Sequence, residues 1–253
     1  MSDSDIYAAP EADLSHSGGG DRAGGNVEDA IAGNIQINML ETLGEAWRGM
    51  KGFKLKCHIA LLLYFLVFIG VGILFGIFIG ILAATGADES VIAILSIVVQ
   101  LVITVIALPM GIAVMIMAMR HQHQRSVSAG EIFRHFGSTI KLLLVYLVQT
   151  IMIMIGLVLL VIPGIYLMFA YIYAMPLIVE KNMGIWQALE TSRKAMTRVW
   201  FRFFGLLMLI TLINMLGILT LGIAWIWTVP WAVLAMSMVY VKLFGVEAET
   251  IAE

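Results

Sequence analysis

The chain has 253 residues, of which 61% are hydrophobic and only 13% charged, and its mean hydropathy is +0.97. Soluble domains carry roughly 45–50% apolar and about 25% charged residues, so this composition excludes a water-soluble globule and points to a bilayer. The formal net charge of −2 conceals a strong asymmetry along the chain, and the single Cys57 excludes an internal disulfide or a cysteine-held cluster.

Residues 1–33 hold the acids Asp3, Asp5, Glu11, Asp13, Asp21, Glu28 and Asp29 against one base, Arg22, together with the glycine runs at 18–20 and 24–25. Low hydrophobicity with one-sided charge predicts a disordered acidic tail, either a solvated leader or a docking segment. No basic stretch leads into an apolar run here, so a cleaved signal peptide is not expected.

A membrane-crossing helix needs about 20 apolar residues. The first uncharged run is His58 to about Ala84; Thr85–Ser90 interrupts it, and Val91 to about Met119 follows. Leu142–Ile162 is the third, and Pro163-Gly164 predicts a tight turn into a shorter fourth, Ile165–Val179. Phe203–Leu219 and Ala224–Phe244 complete six spans in three hairpins across residues 34–246, leaving 247–253 as a short tail.

All 15 basic residues fall on one side of this arrangement, while the turns at 85–90, 163–164 and 220–223 hold none. The positive-inside rule makes that side cytoplasmic, with both termini inside. Trp225, Trp227 and Tyr166 then mark the outer boundary, and Trp47, Trp200 and Tyr240 the inner one.

Each hairpin follows an amphipathic stretch. Leu40, Leu43, Trp47 and Met50 share a helical face in the first, and Ile132, Phe133, Phe136 and Ile140 in the second. The third, 183–202, aligns Ile185, Trp186, Leu189, Met196, Val199 and Trp200, with Arg193, Lys194, Arg198 and Arg202 opposite. Such segments predict interfacial helices, and those four cations predict contact with anionic lipid headgroups. Pro109, Pro176 and Pro230 each fall in the second span of a hairpin and predict kinks, consistent with a threefold repeat. The expected fold is therefore all-α: six transmembrane helices in three hairpins, each preceded by a cytoplasmic interfacial helix.

No Asp, Glu, Lys or Arg lies inside a span, which argues against ion coupling. Gln100, Gln149 and Asn214 are the polar side chains at depth. They either line a polar site or bond between helices. Gly72, Gly76, Gly80 and Ala84 place small residues along one face of the first span, a surface for close helix packing within the chain or against another copy. His121-Gln-His123 has no acid or thiol to complete a ligand set, so neither metal nor cofactor is expected. Glu131, Glu180 and Glu190 adjoin cations and read as solvated ion pairs, and an enzyme is not expected.

The strings Val161-Ile-Pro-Gly-Ile-Tyr166, Trp186-Gln-Ala-Leu-Glu-Thr-Ser-Arg193 and Tyr240-Val-Lys-Leu-Phe-Gly245 together resemble bacterial multi-pass inner-membrane proteins of the YciC-like group. They are also similar to the membrane domain attached to some glycerophosphodiester phosphodiesterases. Tyr7-Ala-Ala-Pro10 resembles leaders of small proteobacterial membrane proteins. The resemblance spans roughly residues 40–245 and implies a six-helix inner-membrane bundle, with no catalytic residues to carry over. Two functions remain open: a non-enzymatic protein acting through membrane lipids, a membrane-protein partner or its own copies as scaffold or in envelope homeostasis, and a passive transporter or channel for a small or amphipathic solute. No feature suggests nucleic acid.

Overall fold

The computed structural model describes residues 24–252. Its α-helices are α1 (Val27–Ala32), α2 (Met39–Gly49), α3 (Lys54–Ala84), α4 (Glu89–Gln122), α5 (Thr139–Leu159), α6 (Val161–Ala170), α7 (Ala174–Glu180), α8 (Ile185–Leu219), α9 (Trp225–Phe244) and α10 (Ala248–Ala252). A 3-10 segment, Ala129–Ser138, precedes α5. Six stretches are long and apolar enough to cross a membrane: Lys54–Ala84, Glu89–Gln122, Ala129–Leu159, Val161–Glu180, Ile185–Leu219 and Trp225–Phe244. The chain is an all-α multi-pass membrane bundle, as expected where lipid offers the backbone no hydrogen bonds and helices satisfy it internally.

The α3–α4 turn sits at the expected break. Gly86 takes a left-handed φ of 81°, and Asp88 caps α4 by accepting from the Ser90 amide at 2.8 Å. Beyond Val67 in α3 and up to Leu101 in α4 the hairpin is mostly exposed, whereas Pro109–Arg120 of α4 is largely buried. A Cβ added at Gly72, Gly76 or Gly80 would meet nothing within 4 Å, so no helix of this chain fills the small-residue face. Within the chain, the expected close packing is not built.

The second hairpin departs most from expectation. The chain breaks at Leu160, the one extended residue between α5 and α6, rather than at Pro163-Gly164. Pro163 lies in the first turn of α6, where the missing N–H costs nothing and the fixed φ suits a helix start. Gly164 packs on Leu157 and Gly156, too close for a side chain. The fourth span then breaks again over residues 171–173. Ser192 of α8 repairs that break: its Oγ donates to Ala170 O at 2.7 Å and accepts from the Tyr173 amide at 3.3 Å. Pro176 consequently sits in α7's first turn and kinks nothing, unlike Pro109 and Pro230 inside α4 and α9.

The amphipathic stretches take three different forms. α2 is a separate helix, capped by Asn38 accepting from Glu41 N at 3.2 Å. It buries Met39, Leu43, Ala46 and Met50 and leaves Leu40 and Trp47 exposed, so its packed face is rotated from the expected one. The second stretch is 3-10, with Ile132 buried and Phe133 and Phe136 exposed. The third is continuous with the fifth span: α8 runs 35 residues, about 50 Å. Its stripe at Leu189, Met196, Val199 and Phe203 is buried against protein, while Trp186 is exposed.

The expected tail also ends early. Residues 1–23 lie outside the described residues, but Asn26 caps α1 by accepting from Asp29 N at 2.7 Å, and Gly33 closes it at φ 85°. Gly25 N donates to Val241 O at 3.0 Å, and a side chain there would strike the α9 backbone. These glycines serve close approach. At the other end α10 forms within the expected tail 247–253.

The core gathers where α2, α4, α7, α8 and α9 meet. Tyr173, Phe203, Tyr240 and Phe244 pack edge to face, and Tyr173 Oη donates to Met236 O at 2.9 Å. Tyr240 is thus core rather than a boundary ring. Trp227 lies 5.0 Å beneath Lys54, and Tyr166 bonds Thr197 of α8. Both contacts pair a ring expected at the outer boundary with a residue expected near the inner one, so these rings do not mark the far side.

Candidate lipid site on α8

The four cations predicted to meet headgroups separate into two pairs. Arg193 forms a bidentate pair with Glu190, at 2.9 Å and 2.8 Å, and Lys194 reaches the same carboxylate at 3.3 Å. One carboxylate thus answers half of their charge within α8. Arg198 and Arg202, one turn further on, have no acidic partner among the described residues. Arg198 Nε donates to Ile31 O at 3.3 Å, which holds the guanidinium beside the loop after α1.

These two arginines line a polar cavity of about 300 Å³ with Gln36, Thr197 and the backbone at Gly33 and Ile35. The α1 geometry creates it, because Gly33 turns the chain where a Cβ would crowd the Arg198 stem at 3.2 Å. A more apolar slot of about 700 Å³ opens on one side along Leu40, Leu43, Leu206 and Leu209. On the other side an apolar cavity of about 560 Å³ runs along Ile162, Ile165, Trp200 and Phe204. Phe201, 84% exposed, borders all three. The arrangement is amphipathic: cations at an i, i+4 spacing over a small polar chamber, with an apolar cavity on the α6 side and a partly apolar slot, lined also by Gln36 and Asn38, on the α2 side. Guanidinium forks match phosphate oxygens, and charge-assisted bonds of this kind are roughly twice as strong as neutral ones.

The intramembrane amides do not share a site of this kind. Asn214 bonds across the third hairpin, its Oδ1 accepting from Thr228 Oγ1 at 2.9 Å, while its backbone carbonyl accepts from Trp225 Nε1 at 2.9 Å. Gln100 is exposed on α4, and the buried Gln149 Oε1 has no partner. None of the three lines the cavities above.

Glu180 is where sequence reasoning misjudged a site most. Its carboxylate is wholly buried. It accepts from Tyr240 Oη at 2.7 Å and from the Glu247 amide at 2.6 Å, and Lys181 bridges it at 3.2 Å to Glu247 at 3.0 Å. The one signal in sequence was the acid–base pair directly at the end of an apolar run. Glu131 likewise reaches back to Arg120 at 2.6 Å. The histidines bond backbone carbonyls: His121 Nε2–H donates across to Gly49 O at 3.0 Å and His123 Nδ1–H to Met119 O, one turn back, at 2.8 Å. Among the described residues no His, Cys, Asp and Glu cluster of metal-binding size occurs. In comparisons with known proteins, no family model, no curated protein and no solved structure matches this chain.

Proposed function

We propose that this is a non-enzymatic protein of the bacterial inner membrane that acts through bound anionic phospholipid, as a membrane scaffold or in envelope homeostasis. The carrying observation is the chamber at Arg198 and Arg202, with an apolar cavity on one side of Phe201 and a partly apolar slot on the other. That shape suits a phosphate headgroup with one acyl chain on each side. Each cation near an anionic surface adds about 1 kcal/mol, weakening with salt. The candidate acids are engaged elsewhere: Glu131 with Arg120, Glu180 with Lys181 and Tyr240, Glu190 with Arg193. The one-sided distribution of Lys and Arg supports an orientation with both termini in the cytoplasm.

Native mass spectrometry of the full chain, released from membranes in mild detergent, tests the lipid. The wild type should retain anionic diacyl phospholipid, and Arg198→Gln/Arg202→Gln should lose it while keeping the same melting temperature. Equal retention by both proteins would refute the assignment. Orientation is tested by single cysteines in a Cys57→Ala background. One at Asp88 should react with a membrane-impermeant thiol reagent in intact cells, and one at Ser128 should not.

A further inference from the structure

A second cavity lies on the far flank of α2 from the arginines of α8 and is independent of the reading above. It measures about 590 Å³ and is lined by Arg48, Lys51, Lys56, His121, Arg125 and Met238 among others, brought together from the end of α2, the start of α3 and the loop after α4. No acid lines it. None of Arg48, Lys51, Lys56 and Arg125 forms an ion pair among the described residues, whereas Lys242, Lys181 and Arg120 nearby all do. Gly52, at φ 84°, makes the turn that brings Lys51 and Lys56 to one cleft. His121 fixes the opposite wall, bonding Gly49 O at 3.0 Å and lying against Phe53 at 5.2 Å between ring centres.

We propose that this cleft binds a phosphorylated anion carrying two or more negative charges. Four cations converging without a counter-charge repel one another, and a multiply charged phosphate removes that repulsion while its oxygens accept from the arginine forks and lysine ammoniums. A singly charged anion would leave most of it in place. The lining also differs from the α8 site in the way that matters for ligand class. Met238 is the one large apolar side chain lining it, against Arg48, Lys51, Lys56 and Arg125, so the recognised chemistry is the phosphate group itself.

The test uses the full chain in nanodiscs of phosphatidylcholine alone, titrated with inorganic pyrophosphate by calorimetry at low salt. Saturable binding is expected, weakening by about tenfold or more in Lys51→Gln/Lys56→Gln/Arg125→Gln. Lys141→Gln, a cation on α5 outside the cleft, should bind as the wild type does, and an unchanged melting temperature shows that the triple variant is folded. A second arm repeats the titration in nanodiscs containing cardiolipin, whose headgroup carries two phosphates. Undiminished pyrophosphate binding there identifies a soluble phosphate as the ligand, and competitive loss identifies the headgroup. Absence of saturable binding in neutral nanodiscs, or equal binding by the triple variant, would overturn the proposal.

Discussion

The most apolar stretches of the first and third hairpins meet opposite surroundings. None of the most apolar window of α3 or of α4 is buried inside the protein, against 56% of that of α9. The first hairpin is mostly Leu, Ile, Val, Ala, Phe, Met and Gly, with few polar side chains at depth, among them Gln100 and Thr104. The third interleaves its apolar residues with Asn214, Thr228, Ser237 and Tyr240, each bonded to a neighbour. In water the most hydrophobic segments form the core. In a bilayer lipid is as apolar as leucine, so hydrophobicity alone draws no helix toward another, and packing follows shape and hydrogen bonds instead. The least greasy spans are therefore the inside of this molecule.

The largest expected effect lies at the base of the packed region. Glu180→Ala strips Lys181 and Tyr240 of their shared buried partner, and breaking such a pair costs about 3–5 kcal/mol. Thermal unfolding in detergent should show a large fall. No single polar change in the lipid-facing part of the α3–α4 hairpin should match it; if Gln100→Leu did, the contrast between the hairpins would be broken.

Next come the glycines. A leucine at Gly217 would land on the Trp225 indole, and overpacking of this kind costs about 1–3 kcal/mol. Gly76→Leu meets nothing and should melt with the wild type. Equal destabilisation by the two would show that the face of α3 is packed in solution. Asn214→Leu removes one bond across the third hairpin and should cost about 0.6–2 kcal/mol by the same assay.

The smallest effect concerns the tip of the first hairpin. The Ser90 hydroxyl, then its amide, holds the Asp88 carboxyl below its ordinary 3.8. A depressed carboxylate stabilises the fold above its unfolded pKa, and that contribution disappears as pH falls through the lower folded value. Exchange of the Ser90 amide, corrected for intrinsic rate, should accelerate only below the ordinary carboxylate range. Asp88→Asn should abolish this pH dependence without moving the melting temperature.

The six spans were legible because uncharged apolar runs of that length have few alternatives. The continuity of α8 was also there to be read, since no Gly or Pro interrupts residues 185–204. The break at 171–173 was not, because Tyr-Ile-Tyr carries no turn signal and the break is stabilised by Ser192 from another helix. Pro163-Gly164 misled because proline suits both a turn and a helix start. Of the candidate site, the spacing of Arg198 and Arg202 was visible. Their separation from Arg193 and Lys194 was not, because it depends on which cations Glu190 holds. The slot and the cavity beside Phe201 are built by α2 and α6, which are distant in sequence.

The bond from Gly25 N to Val241 O has a consequence for biogenesis. α1 rests on α8 and α9, and α2 on α9, so the segments translated early find their seats only on the helices translated last. At about 5–20 residues per second, the ribosome needs roughly 10–40 s to travel from one partner of that bond to the other. During that interval α2's apolar face, with Leu43 and Met50, has no protein to cover it. The membrane surface is the natural waiting place for such a face, and the first part of the chain to be made becomes one of the last to be locked in.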